Sequence, residues 1–513
     1  GGDGTLIFNA HNDITVNDAT IRSTAGVLDI VFNPDFDGSS PDPGVISFNV
    51  GFGVDGVVID TNGGQLVTNG DVEIGATSTP TAGFSLTNTT WEIAQGYIVQ
   101  DTETGYRIDI EIDTQSSVIN RGHFETTNGG FNFIGAGIAD SQLVNYGIIS
   151  ASNIADVTID NGTIDFTHYG TLAAVGGQNG IPTIRLTSDF TLQSGAAILG
   201  SDGLFDISDG LNTGTLTVEG GVLSPLYGQG FGGDLEINSN LIFNDGLMVA
   251  VFGYDSVSYS NTVNASTTVE INGGTLQAVW AGYDSATGVA ESFGSEQLYT
   301  AFSCEICSDM DSFDTYLDPV GVTQANHTFS GTGVEYNITG IADSLKFVRW
   351  EGPEDGSPGQ WNDANNWTNN VIPSADSIVF IESTIFDPTG KEINFIPQVS
   401  VQTNVPEIAA LQSSGVITVG SGGKLFVTGQ SVVIPNLDFG IGQTGRLSIN
   451  GDFAEFSSPG LLSLMPHSSI ELLNGVLTAP TSNWGISVLS PAAGDTFFLS
   501  NEFSNHAQLW ASV

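Results

Sequence analysis

Two cysteines, two aspartate-rich loops, three neighbouring tryptophans and one His–Glu pair are the residues whose types and spacing could support chemistry. Cys304 and Cys307 form "CEIC". This spacing suits half a zinc site, a redox pair or a small disulfide loop. A tetrahedral zinc site needs two further Cys or His ligands, and the nearest histidine is His327. A redox pair of the thioredoxin type belongs at the start of a helix in a βαβ unit, for which this sequence has no signal. In an oxidising compartment a lone close pair oxidises, so the expectation is a Cys304–Cys307 disulfide, with free thiols as the alternative. The loop "NPDFDGSSPDPG" places Asp35, Asp37 and Asp42 around Gly38, and "CSDMDSFDTYLD" carries Asp309, Asp311, Asp314 and Asp318. Carboxylates spaced around a glycine turn can direct oxygens at one Ca²⁺. The first loop lacks the glutamate that ends an EF-hand loop, since position 46 is Ile. Aspartate is also a common turn residue in its own right.

Trp350, Trp361 and Trp367 lie among Asn and Asp. Exposed indoles stack on sugar rings, which makes them a candidate glycan-binding set; the competing expectation is the core of a small module with little else to bury. Arg121, His123 and Glu125 alternate along "NRGHFE", and on a strand they would share one face. A polysaccharide-active enzyme needs such a constellation, but three polar residues on an outward face are more often surface. The remaining histidines, His11, His168, His327, His467 and His506, are dispersed and have no ligand-pair or triad spacing. No catalytic residue is therefore assigned and the expectation is a non-enzyme. The sequons at Asn88, Asn161, Asn264, Asn326, Asn337 and Asn366 are what an Asn- and Thr-rich chain produces by chance.

Composition limits the partners. The chain has 57 acidic and only 9 basic side chains, for a net charge of −48. Phosphate neutralisation needs clustered cations, so nucleic-acid binding is excluded as a reading and an anionic membrane surface is disfavoured. Divalent cations would be attracted instead, and Ca²⁺ is the one cofactor expected. No run reaches the ~20 apolar residues of a spanning helix.

The elements that must position these residues are strands. Hydrophobic residues make up 40% of the chain, enough for a large core, and the 66 glycines punctuate it. Short runs such as Leu235–Asn238 alternate apolar and polar residues between Gly, Asn, Asp and Ser. "TNGGQLVTNG" (61–70), "TVEGGVLSP" (217–225), "EINGGTLQAV" (270–279) and "LLNGVLTA" (472–479) repeat a polar turn followed by a Leu that opens a strand. Degenerate repetition of this kind predicts an all-β right-handed parallel β-helix, a solenoid, with tandem sandwiches as the alternative. Coils of ~20–25 residues stacked at ~4.8 Å would make a rod on the order of 100 Å long. A composition shift near 345 predicts a β-helix over 1–345, a small Trp-rich β module inserted over 346–400 and a second solenoid segment over 401–513.

Three segments resemble exported bacterial proteins. Residues 5–48, with "A-x-N-D-I-T-V-N" and an Asp-rich loop, and 57–70, with the "N-G-G-x-L" return, resemble filamentous-haemagglutinin-type exoproteins. Residues 235–279 are similar to autotransporter passenger repeats. "W-x-G" at 350–352, "GQWNDANNW" at 359–367 and "VIPSADSIVF" at 371–380 resemble a module of bacterial surface proteins. The resemblance implies an extracellular or cell-surface adhesin stalk or structural fibre. A polysaccharide-active β-helix enzyme and a glycan-binding module are the alternatives. The abrupt termini carry the expectation of a segment of a longer precursor, whose partners would be further repeats or copies of itself, and cell-surface glycans.

Overall fold

The computed structural model describes residues 3–511 apart from 37, 39–43, 51–55, 77–82, 102–106, 114, 128, 138–139, 177–179, 226–232, 253–259, 281–296, 311–312, 342–345, 354–356, 382–383, 387–391, 395, 435–444, 466–467, 484–485, 490–496, 501–502 and 506–508. Among them there is no α-helix, only strands and two short 3₁₀ turns at Ala364–Asn366 and Thr368–Asn370.

The first part of the chain forms one 32-stranded sheet whose pairings are almost all parallel. Each strand pairs with the strand about one repeat further on, so three parallel ladders grow together. In the first ladder Leu66 aligns with Trp91, Trp91 with Val118, Val118 with Leu143 and Leu143 with Phe166. The second joins His123–Thr126 to Ile148–Asn153, then to Thr171–Gly176 and Ala197–Ser201. The third joins Arg107–Ile112 to Gly130–Gly135, Asp156–Ile159 and Thr183–Leu186. Alternate residues of all three ladders enter one hydrophobic cluster, from Ile30 to Ile338. Strand alternation thus supplies one inward row per ladder, and aromatic residues aligned in successive repeats can stack, as Phe8 on Phe32 at 4.9 Å.

Long strands bend between ladders. Val57–Thr68 pairs with Gly83–Ile93 on both sides of a register shift at Asp60/Gly64, where Gly63 takes φ +94°, a backbone region open mainly to glycine. The far end of this unit is different. Gln297–Met310 pairs in parallel with Val263–Ile271 and, over residues 297–303, antiparallel with Gly333–Ile341, which in turn pairs antiparallel with Val322–Ser330. An antiparallel hairpin therefore lies along that edge of the parallel sheet.

A second set of parallel ladders begins with Lys346–Arg349. One sheet has seven strands and another nine. The ladders cross position 400 without interruption, because Ser377–Ile381 pairs with Ala410–Ser413 and Gln398–Val401 with Val416–Val419. The Trp-rich segment thus supplies the opening strands of this second unit and is not an inserted module, and the expected 346–400 and 401–513 divisions share one core.

The two units pack on each other. Ser377–Ile381 is buried along its whole length, with Ile378 and Phe380 in the core of the first unit and Val379 and Ile381 in that of the second. Gln412 accepts a hydrogen bond from the Trp280 backbone N–H at 3.2 Å and donates to the Trp280 carbonyl at 2.8 Å; Ser463 donates to Gln277 at 2.9 Å. Three residues along one strand span ~10 Å, and the strands holding Gln412 and Ser463 are two ladder steps, ~10 Å, apart. The strands of one sheet therefore run along the stacking direction of the other, a steep crossing of packed sheets. In place of the single rod expected from the repeats, the chain makes two crossed stacks.

Candidate functional site

Cys304 and Cys307 lie where Gln297–Met310 bends. Cys304 aligns with Ala265, and Cys307 with Val269, across a register shift. In a straight strand residues three apart point to opposite faces; the bend returns both to the core side. Cys304 is buried, Cys307 packs partly against the core, and the Cα atoms are 5.7 Å apart with the sulfurs in bonding contact. That separation is ordinary for a disulfide.

Of the Ca²⁺ candidates, Asp37, Asp42 and Asp311 and the side chain of Asp309 lie outside the described residues. Asp35 occupies a turn with φ +46°. Asp314 accepts a hydrogen bond from the Gly274 N–H at 3.0 Å, and Asp318 bonds His327 Nε2 at 3.0 Å. Among the described residues no group of three or more His, Cys, Asp or Glu is placed to hold a metal ion.

The three tryptophans are not a platform. Trp350, Trp361 and Trp367 are 0%, 1% and 0% exposed. Trp367 meets each of the others edge-on at 4.8 Å between centroids, and its Nε1 donates to the Trp361 carbonyl at 2.7 Å. A sugar ring has no access to these faces, so the glycan-binding expectation for them is corrected: the short strands of this segment have few other large apolar groups, and the indoles fill its core.

The Arg121–His123–Glu125 constellation divides. Arg121 sits in the turn before His123–Thr126, bonds Glu92 at 2.8 Å and lies 4.6 Å above the Tyr146 ring. His123 faces Glu125 at 4.0 Å and bonds Ser150 at 2.7 Å. Burial raises the Glu125 carboxyl above the usual carboxylate range, and the nearby Asp101 raises it further. Asp101 is itself raised by burial, against the lowering effect of its hydrogen bond from Thr126. The arginine is thus engaged one turn away from the two carboxyls.

Two groupings escaped the sequence reading. At the hairpin, His327 is stacked on Tyr316 at 4.1 Å and meets Tyr336 edge-on at 4.3 Å; burial, more than Asp318 or Tyr316, raises the Tyr336 hydroxyl. Inside the first ladder, Asn120, Asn145 and His168 form a buried polar column. Its sequence signal is the recurrence "VINRGHF", "LVNYGII", "FTHYGTL" at 118–124, 143–149 and 166–172. Unequal repeat lengths and the exchange of Asn for His hide it.

No helix among the described residues is long and apolar enough to cross a membrane. Comparison with known proteins found no matching family model, no similar curated protein and no similar solved structure.

Proposed function

We propose that this chain belongs to a non-enzymatic extracellular protein of a bacterial cell surface, an adhesin stalk or structural fibre, and that its ladders wind as right-handed parallel β-helices. The observation that supports this best is the in-register stacking of unlike repeats. Each repeat buries its inward row only against its neighbours, so such a stack serves as a stiff spacer whose length scales with repeat number. The resemblance of 5–48, 57–70 and 235–279 to exported repetitive proteins points the same way. Further repeats of the same protein or other copies are the proposed partners, with cell-surface glycans as ligands of the assembly. A net charge of −48 suits an exterior that attracts Ca²⁺.

The test is immunogold labelling of intact source cells with antibodies raised against the folded chain. Surface labelling before lysis is expected; labelling only after lysis would sink the proposal. Incubation with a polysaccharide panel separates the enzymatic alternative. No release of reducing ends is expected, and release abolished by Glu125→Gln would replace the stalk reading with an enzyme.

A further inference from the structure

The buried column ends at an interruption in the sheet. Asn120 Nδ2 donates to Asn145 Oδ1 at 2.7 Å and to the Ile148 carbonyl at 2.9 Å. Asn145 Nδ2 in turn lies 3.0 Å from His168 Nδ1. Facing an amide donor, Nδ1 acts as the acceptor and the neutral ring carries its proton on Nε2. His168 is 5% exposed and its Nε2 has no hydrogen bond of good geometry.

The strand that holds it, Asp165–His168, pairs backward with Ser141–Asn145. Among the described residues no ladder joins it forward to Phe190–Gln193, which pairs onward with Thr215–Pro225. The other two ladders continue through the same level, Thr171–Gly176 to Ala197–Ser201 and Thr183–Leu186 to Gly203–Ile207. One of three sides thus has a seam, spanned by side chains: Phe166 stacks on Phe190 at 5.6 Å, and His168 meets both rings.

We infer that this seam is an acid-sensitive opening: protonation of His168 separates Asp165–His168 from Phe190–Gln193 while the two flanking ladders stay closed.

Two features of the geometry support it. First, a proton added at Nδ1 turns the acceptor into a donor facing the Asn145 amide, and the column loses its last hydrogen bond. Second, nothing ionisable faces the ring. Its neighbours are Asn145 from the preceding repeat, Phe166 from its own strand, Phe190 from the next and the backbone of Ala197. Thr171–Gly176, Ala197–Ser201 and Ser116–Asn120 contain no ionisable side chain. The charged and titratable groups close in sequence are turned outward: Asp165 and Tyr169 are exposed, Tyr146 stacks on Tyr169 and Arg121 covers Tyr146. No carboxylate offsets an imidazolium here. Burial accordingly lowers the His168 pKa to about 4, only partly countered by Ala197. The closed seam excludes the proton and the open one binds it, so closure is fully stable above pH ~6.5 and weakens as pH falls toward 4.

Hydrogen exchange of the full chain, read by mass spectrometry at pH 7.5 and 5.0 and corrected for intrinsic rates, tests this. Linkage over this range predicts that opening at residues 165–168 and 190–193 rises on the order of twentyfold, with 171–176 and 197–201 unchanged. His168→Asn continues the asparagine column and should remove the response. Exchange that is unchanged by acid, that rises equally in all three ladders, or that keeps its acid response in His168→Asn overturns the inference. The regional pattern of the unmodified chain decides even if the variant folds poorly.

Discussion

At the residue scale a tight constraint is the glycine two residues after each member of the polar column. Gly122, Gly147 and Gly170 occupy the same turn in successive repeats, and a Cβ on Gly147 or Gly170 would lie 2.0 Å from the carbonyl oxygen of the glycine one repeat earlier. Backbone cannot retreat there without breaking the ladders beside it. Gly147→Ala should therefore destabilise by about 1–3 kcal/mol, the range of overpacked sites, whereas Gly331→Ala, with nothing within 4 Å of its Cβ position, should be near neutral. Urea denaturation of both variants compares them directly. The cysteine pair is a second residue-scale case. Alkylation without reductant followed by intact mass measurement should add no label to Cys304 or Cys307; two added labels would mean that the thiols are free, with the burial of Cys304 then serving packing alone.

The element scale explains the tryptophans. The opening strands of the second unit are short: Lys346–Arg349 has four residues and Gly359–Gln360 two. Such strands bury little by themselves. Trp350, Trp361 and Trp367 provide the apolar volume, and Trp367 also ties the loop by its bond to the Trp361 carbonyl. Trp367→Ala should cost about 3–5 kcal/mol, as for large buried aromatics, and Trp367→Phe less. Near-ultraviolet circular dichroism and thermal melting are the measurements. A loss of binding to sugars with unchanged melting would instead restore a glycan-binding role for the cluster.

At the scale of the whole molecule, charge and shape act together. The 57 acidic side chains face few cations, and several of the nine basic groups are already paired, as Lys346 with Asp376 at 2.6 Å and Arg185 with Asp206 at 2.7 Å. The Lys346 ammonium, through its hydrogen bond, and Ser374 hold the Asp376 carboxyl below its usual range. Millimolar Ca²⁺ should raise the melting temperature by binding the folded form, with Asp35, Asp37 and Asp42 as the first group to substitute. A melting temperature indifferent to EDTA, and to Asp37→Asn in the presence of Ca²⁺, would remove the cation from the account. The crossed packing of the two units through Gln412, Trp280, Gln277 and Ser463 makes their unfolding expected to be coupled, since each covers an apolar sheet face of the other.

The sequence by itself determined the class of structure. Alternation in runs such as Leu235–Asn238 and the Gly and Asn turns between them specify strands and no helices, because a period of two cannot bury a helical face. What it left open was what covers each face. Period two says that neighbours point apart, but not which side meets a core, a second sheet or solvent. Ser377–Ile381 is apolar on both sides because two units share it, and nothing local distinguishes that from an ordinary buried strand. The same limit hid the inward direction of Asn120, Asn145 and His168. The Cys304–Cys307 pairing was expected from the sequence, but the bend that turns both cysteines to one side is set by the neighbouring strand. Register across repeats of unequal length decided all of these, and register is a property of the assembled ladders.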